Sequence, residues 1–250
     1  MISDAYTIWL REIIRFFREK TRVIGSLGMP FFFLAILGSG LGSNFQVQNF
    51  EGSYMSYIMP GILGMVLLFG SLFAGISVIW DKQFGFMKEI LVSPVSRVSI
   101  MVGKVLGGAT TAIFQALLML AISLLIGVEI SGFYGILFAF VFMFLISFSF
   151  VSLGVAFASK LEDMHGFQLI MNFMIMPLFL LSGALFPLEG LPASIRWVTY
   201  FDPLTYGVEG LRYSLLGVSY IPVLKSIAVL LAFSSAALLI GTHFFKKMQI

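Results

Sequence analysis

The chain has 250 residues, of which 59% are hydrophobic and only 11% are charged, and its formal net charge is +3. Soluble domains carry about 25% charged residues, so this composition is too apolar to cover a globular surface. The mean hydropathy of +1.02 and the 25 glycines are typical of an integral membrane protein. Cysteine is absent, which excludes disulfides and thiolate metal sites.

The first predicted element is an amphipathic helix over residues 4–22. Apolar residues recur at spacings of three to four, and charged residues lie between them; the apolar residues are Ile8, Trp9, Ile13, Phe16 and Phe17. Such a helix is expected to lie in the membrane interface ahead of the first span, either as a plain anchor or with a role in coupling. The segment carries acidic residues and no apolar core before a small-residue cleavage site, so it does not read as a signal peptide.

Six apolar stretches follow, each long enough to cross a bilayer as a helix of about 20 residues. Irregular backbone is not tolerated against lipid, so each stretch is expected to be helical. The predicted fold is therefore an all-α integral membrane protein, and the lack of repeats or linkers favours a single domain over residues 1–250. The predicted spans are residues 23–41, 57–79, 105–127, 134–158, 167–186 and 223–244.

The distribution of basic residues predicts the orientation. Twelve of the fifteen lysines and arginines lie before the first span, in the connections after the second and fourth spans, or in the C-terminal tail. Because basic residues stay in the cytoplasm, both termini are predicted to be cytoplasmic, in a multi-pass protein of the cell membrane. Residues 81–98 then face the cytoplasm, and residues 187–216 lie on the outer side.

The cytoplasmic connection, residues 81–98, contains the run KEILVSPVSR, which is partly charged and partly apolar. Pro94 is expected to end a helix near Ser93, which leaves a short amphipathic helix before the third span. Such a helix fits a groove on a partner protein or rests on the lipid headgroups.

The outer segment, residues 187–216, is broken by three prolines. It is too interrupted to span the membrane and too apolar to be a free loop. It is predicted to lie in the outer leaflet or to re-enter it, with Trp197, Tyr200 and Tyr206 at the interface.

Several kinds of chemistry are missing from the sequence. No Asp, Glu, Lys or Arg lies near the centre of a predicted span, which argues against an ion-coupled carrier. Neither a Walker motif nor a nucleophile–base pair is present, so any energy for work must come from another protein. The uncharged polar residues within the spans either bond neighbouring helices or line a substrate path; the candidates are Gln115, Gln168, Asn172 and Ser182.

Two motifs resemble those of one transporter family. The run from Lys88 to Arg97 followed by Val102-Gly103-Lys104 is similar to the E-x-L-L-V-S-P-V-S-R … G-K stretch of type 2 ABC exporter permeases. The run L-S-G-A-L-F-P-L-x-x-L-P followed by D-P-L-T-Y-x-V-E-G-L-R resembles that family's signature near its last span. The resemblance covers the whole chain and is closest to the drug- and antibiotic-resistance branch. Many relatives have E-R-G-T before the coupling helix, where this chain has Asp81-Lys82-Gln83-Phe84-Gly85.

The resemblance implies a homodimer, or a dimer with a close homologue, that pairs with two copies of a separate ATPase and exports an apolar or amphipathic substrate. This chain would bind no cofactor, since Mg-ATP would bind the ATPase, and no nucleic-acid partner is expected. The substrate path would lie between the two permeases, lined by spans one, two and five. The coupling helix would contact the ATPase through Phe86, Lys88, Glu89, Leu91, Pro94 and Arg97. The interface helix would contribute Trp9, Arg11, Arg15 and Phe16. The outer gate would contain Pro187, Pro192, Asp202, Pro203, Tyr206, Glu209 and Arg212.

Two other functions stay open at this point. An ATP-independent secondary transporter or channel would move solute without an ATPase, and a scaffold or membrane enzyme would move none. The substrate of an exporter could also be a polysaccharide or a lipid-linked glycan.

Overall fold

The computed structural model of the chain describes residues 2–42, 50, 52–92, 94–190 and 192–247. The described residues form helices and no strands. The α-helices, in chain order, are α1 (Ile2–Arg18), α2 (Lys20–Gly42), α3 (Tyr54–Ala74), α4 (Ile76–Gln83), α5 (Phe86–Val92), α6 (Arg97–Leu125), α7 (Phe133–Lys160), α8 (Met164–Leu181), α9 (Ala193–Thr199), α10 (Pro203–Leu216) and α11 (Val223–Lys246).

Six stretches of the described chain are long and apolar enough to cross a membrane, which confirms the prediction of six spans. The second is longer than predicted, because α4 continues α3 after a turn at Gly75 and runs to Gln83. Trp80, Asp81 and Lys82 therefore lie in its last turns. The third begins at Arg97, so Lys104 also belongs to a helix and not to the connection.

Helix α7 is the centre of the bundle and packs against α3, α6, α10 and α11. It crosses α3 and α4 where two glycines meet. A Cβ on Gly154 would lie 2.6 Å from the carbonyl oxygen of Leu72, and one on Gly75 would lie 2.5 Å from that of Gly154. Only glycine fits so close an approach of two backbones.

The bundle has two ends, which we call the α5 end and the α10 end. At the α5 end, the guanidinium of Arg97 at the start of α6 donates to the carbonyl oxygen of Lys246 at the end of α11. Helix α1 begins beside the same part of α6. Residues 2 and 247 thus lie at one end, as two termini on one side of the membrane require.

At the α10 end, the outer segment forms a single 3-10 turn (Leu188–Gly190), then α9, then α10. Helix α10 is buried among α3, α7 and α11. Its Gly207 and Gly210 let Ile146 and Phe142 of α7 approach its backbone. Tyr206 is buried and donates its hydroxyl to the carbonyl oxygen of Tyr200, whereas Trp197 is exposed.

Candidate coupling site at the α5 end

Helix α5 has only seven residues and is held to the bundle by few side chains. Met87 is fully buried beneath it, and Ile90 packs partly against the core. The turn that separates it from α4 contains Gly85 at φ +80°, a conformation that favours glycine. The helix ends at Val92, ahead of Pro94, and the hydroxyl of Ser96 then caps α6 by accepting the N–H of Ser99 at 3.1 Å.

The outer face of α5 is open. Phe86 is 49% exposed and Val92 is 88% exposed, while Lys88 and Glu89 are exposed and form no ion pair with any described residue. Pro94 is exposed and Arg97 is half-buried. The side chain of Leu91, another predicted contact, lies outside the described part of the structure. Phe86, Lys88 and Glu89 therefore lie on a small amphipathic helix that exposes apolar and charged groups, whereas Pro94 and Arg97 lie beyond its end.

A buried ionic cluster lies at the base of α5. We call it the Asp81 cluster; it consists of Arg11, Glu12, Asp81 and Lys104. The Nζ of Lys104 lies 2.6 Å from Oδ2 of Asp81 and 2.8 Å from Oε1 of Glu12. It also donates to Oγ of Ser77 at 3.3 Å, so all three ammonium protons have an acceptor. The other oxygen of Asp81 accepts from Nη2 of Arg11 at 3.0 Å.

The cluster joins three helices around a buried ion pair, and Arg11, whose side chain is 39% exposed, lies at its outer edge. The side chains of Lys104 and Asp81 are 1% and 2% exposed. Burial raises the pKa of Glu12, but Lys104, Arg15 and Arg11 together outweigh burial, so the pKa lies below the usual value. Glu12 is therefore ionised at neutral pH. Because breaking a buried pair leaves an uncompensated charge, α1, α4 and α6 are held in one arrangement.

Sequence reasoning identified Arg11 and missed the rest of this cluster. By sequence alone, Lys104 is one more basic residue of the predicted cytoplasmic connection. Glu12 lies 92 residues away from Lys104 in the chain, and nothing local shows that the two meet. The one available signal was the acidic–basic pair Asp81-Lys82 ahead of α5, whose partners the structure now identifies.

Lys82 points the other way, toward α7. Its Nζ donates to the carbonyl oxygens of Ala158, Ser159 and Leu161 at 3.0, 2.8 and 3.1 Å. These are orphan carbonyls at the C-terminus of a helix, where a cation is favoured. The last turn of α4 is therefore fixed to the α7–α8 connection as well as to α1 and α6.

The predicted residues of α1 contact both sides of this junction. The guanidinium of Arg11 lies 5.5 Å from the centroid of the Phe86 ring, and that of Arg15 lies 4.5 Å from Trp80. On the opposite side, Nε1 of Trp9 donates to Thr110 at 3.0 Å, and Phe16 is buried. Helix α1 thus bridges α5 and α6.

A groove on α6 seats α1. The sequence Gly103-x-x-x-Gly107 forms its floor: a Cβ on Gly107 would lie 2.6 Å from Cβ of Glu12, and one on Gly103 would lie 2.7 Å from the Ala5 carbonyl oxygen. Helix α1 runs in the same direction as α6, because later residues of α1 meet later residues of α6, up to Phe16 beside Phe114. The two glycines serve helix packing, as expected from their spacing.

The predicted outer-gate residues gather on and around α10. Asp202 caps this helix by accepting the N–H of Leu204 at 2.9 Å, and Pro203 is its first residue. Glu209 and Arg212 form a fully buried ion pair. Pro187 and Pro192 lie in the chain that leads to α9.

This ion pair ties α10 to its surroundings. Arg212 donates to the carbonyl oxygen of Gly183 at 2.8 Å and lies 4.4 Å from the centroid of the Tyr57 ring. Glu209 accepts the backbone N–H of Tyr220 at 2.6 Å. One pair of side chains therefore connects α3, the turn after α8 and the chain before α11.

Two of the four predicted path residues meet in one groove. Gln115 and Gln168 line an otherwise largely apolar groove of about 430 Å³ between α2, α3, α6 and α8. Gln115 donates to Oγ of Ser26 at 2.7 Å. Ser182 is buried and donates to the Phe179 carbonyl oxygen instead, and Asn172 is exposed outside this groove.

Comparison with known proteins places this arrangement in a family. The model of a family described as ABC-2 type transporter matches residues 4–216. The inner membrane transport permease YadH of Escherichia coli K12 is 30% identical, over 94% of this chain and 91% of that protein. A transport permease of Cyanophora paradoxa, ycf38, is 25% identical over 99% of this chain and 89% of its own length. Nodulation protein J of Rhizobium leguminosarum is 23% identical over 96% and 93%. This chain is a multi-pass membrane protein that belongs to the ABC-2 type transporter family.

Proposed function

We propose that this chain is the transmembrane subunit of an ATP-driven exporter whose energy comes from a separate ABC ATPase. Permeases of the ABC-2 family generally work with such a subunit. The observation that carries the proposal is α5, a short helix anchored by Met87 whose exposed face carries Phe86, Lys88, Glu89 and Val92. Two copies of the ATPase, each with its Mg-ATP, and two permease chains complete the transporter.

The contacts of α4 give a route for mechanical work. When ATP binding brings the ATPases together, each displaces the α5 that it holds, and the last turn of α4 moves with α5. Asp81 passes that movement to α1 and α6, and Lys82 passes it to the α7–α8 connection. Because α3 and α4 form one continuous span, movement of α5 changes the tilt of that span within the bundle.

Release is assigned to the α10 end. Helix α10 is held by the Glu209–Arg212 pair against α3 and the turn after α8. A change in the tilt of α3 shifts Tyr57 against Arg212, and the outer segment parts so that substrate leaves.

The groove that contains Gln115 and Gln168 supports an apolar or amphipathic substrate, such as a drug, an antibiotic or a lipid-like molecule. Most of its lining is apolar, with two amides to orient a polar group. It lies beside α2 and α8, whose outward faces expose Phe32 and Phe173 and offer a surface to a second permease. A polysaccharide or lipid-linked glycan is the alternative substrate.

The test is to purify the tagged chain gently from its native membrane and to measure the ATPase activity of what comes with it. We expect a separate ABC ATPase to co-purify, and Glu89→Ala to remove the dependence of its activity on the permease. The matched control is Glu129→Ala, an exposed carboxylate at the α10 end, which should leave that dependence intact. A chain that purifies alone and moves solute without ATP would support a channel or carrier and contradict the proposal.

A further inference from the structure

A cleft beside α5 has the chemistry of an anion site. It has a volume of about 580 Å³ and lies between α1 and the α4–α5 turn. We call it the arginine cleft. Arg11, Arg15 and Arg18 form one wall, because their spacing of four and three residues places them on one face of α1. The facing wall is aromatic and consists of Trp80, Phe84 and Phe86.

The positive charge of the cleft exceeds what the protein neutralises. Arg11 and Arg15 share one oxygen of Asp81, at 3.0 and 3.8 Å, while the other oxygen belongs to Lys104. Arg15 also bonds Glu19 at 3.3 Å. Arg18 is exposed and makes no ion pair with a described residue. Four cations therefore face three carboxylates in and behind the cleft: Arg11, Arg15, Arg18 and Lys104 against Glu12, Glu19 and Asp81.

The position of the cleft along the spans points to its occupant. Arg18 precedes Val23, where the first span begins, by only five residues, and Trp80 is three residues from the end of the second span at Gln83. At about 1.5 Å per helical residue, Arg18 lies about 7.5 Å before the first apolar stretch begins, which places the arginines near the expected hydrocarbon boundary. That is the level of the lipid headgroups.

The surroundings of the arginines are apolar, as an acyl chain requires. Leu10 and Ile14 line the cleft and are 37% and 44% exposed, and Phe17 beside them is 50% exposed. A soluble anion would gain nothing from these side chains. A phospholipid would place its phosphate on the guanidinium groups, which form bidentate bonds to phosphate, and its chains along the apolar residues.

We propose that the arginine cleft binds the phosphate of an anionic phospholipid from the leaflet at the α5 end. The bound lipid bridges α1 and the α4–α5 turn, so the composition of that leaflet adjusts how firmly α5 is held. The cleft shares Phe86 with the predicted ATPase contacts of α5, whereas the groove that contains Gln115 is a different site.

The test compares lipid retention by native mass spectrometry of the full chain, released from nanodiscs containing equal amounts of phosphatidylcholine and phosphatidylglycerol. We expect one phosphatidylglycerol to be retained per chain in preference to phosphatidylcholine. Arg18→Gln should weaken that retention about fivefold, the effect of one basic residue near an anionic surface. Because Arg18 is exposed, the variant should keep its unfolding temperature in phosphatidylcholine alone.

The matched control is Lys20→Gln, which removes the same charge from an exposed residue just outside the cleft. Equal loss of phosphatidylglycerol in both variants would show a general surface effect and overturn the proposal.

Stabilisation of the chain by inorganic phosphate to the same extent as by phosphatidylglycerol would assign the cleft to a soluble anion. Displacement of the lipid when the ATPase binds would assign it to that protein, whereas retention in the complex supports the lipid site. The comparison of lipid retention needs neither transport nor the ATPase, so failure of the exporter proposal would leave that comparison intact.

Discussion

The ammonium group of Lys104 lies between two carboxylates that belong to different helices. Its distances to Asp81 and Glu12 are 2.6 and 2.8 Å, and its side chain is 1% exposed. In such a site the attraction offsets the cost of removing three charges from water only while every partner is present. Loss of Lys104 should therefore weaken the attachment of both α1 and α4 to α6.

Replacing Lys104 with Met keeps the volume and removes the charge. We expect Lys104→Met to destabilise the protein by about 3 kcal/mol, because Glu12 and Asp81 stay buried and lose the ammonium group that both contact. Thermal unfolding in detergent would measure the effect. Lys88→Met, at an exposed position, is the control and should change the stability little. Adding Glu12→Gln to Lys104→Met should recover part of the loss, and an unchanged double variant would contradict the ionic account.

Asp202 makes the stability of the α10 end depend on pH. Burial raises the pKa of this carboxyl from 3.8 to about 8, against the opposing effect of the Leu204 N–H. The folded protein therefore holds a proton that the unfolded chain releases. Its stabilising contribution is complete below about pH 4 and is lost as the pH rises toward 8.

The variant Asp202→Asn should remove this dependence, because Asn caps a helix nearly as well and does not titrate. We expect the unfolding temperature of the parent protein to fall more between pH 5 and pH 9 than that of the variant. Parallel curves for the two proteins would show that Asp202 titrates normally.

At the scale of elements, α1 is positioned by the surface of α6 more than by its own sequence. Gly103 and Gly107 remove the side chains that would hold α1 away, and Ala5, Ile8 and Glu12 approach α6 there. The predicted range of 4–22 is close to the observed Ile2–Arg18, since an apolar face at helical spacing is visible in the sequence. The position of α1 on α6 could not be predicted, because it depends on contacts between residues about 100 positions apart, such as Trp9 and Thr110.

A methyl group at Gly107 should displace α1. The added Cβ would lie 2.6 Å from Cβ of Glu12, so we expect Gly107→Ala to destabilise the protein by about 1–3 kcal/mol. The control is Gly28→Ala in α2, where an added Cβ meets nothing within 4 Å. If both substitutions have the same effect on thermal unfolding, the close approach of α1 and α6 does not matter for stability.

The end of the second span shows why hydropathy placed some boundaries wrongly. The apolar run stops near residue 79, but the helix continues to Gln83. A charged residue lowers hydropathy without ending a helix. Asp81 and Lys82 are tolerated in the last turns because Lys104 and the α7 carbonyls satisfy them. The end of α5, by contrast, can be predicted from the local sequence, because Pro94 is visible there and α5 ends at Val92, before the proline.

At the scale of the whole molecule, the apolar stretches alone predicted six helical spans, because a stretch of about 20 apolar residues can be recognised directly in the sequence. The position of α10 was harder to predict. Its stretch reads as amphipathic and interrupted, but the structure buries it among α3, α7 and α11. The sequence pattern does not reveal the burial of α10, because its charged residues, Glu209 and Arg212, are paired with each other and with backbone groups distant in the chain.

The same view of the molecule separates the end proposed to receive work from the end proposed to release substrate. Helix α5, the Asp81 cluster and Lys82 lie at one end, and α10 with its buried ion pair lies at the other. The continuous stretch Tyr54–Gln83 runs between them. We propose that an ATPase docks on α5 and drives this span.

The most direct test of that claim uses the absence of native cysteine. A single cysteine would replace Val92 on α5 or, as the control, Leu125 at the other end of the bundle; both side chains are 88% exposed. Each would carry a photoactivatable crosslinker in native membranes. The account predicts that the label at position 92 crosslinks to an ABC ATPase and the label at position 125 does not. An ATPase crosslinked equally from both positions, or from neither, would contradict docking on α5.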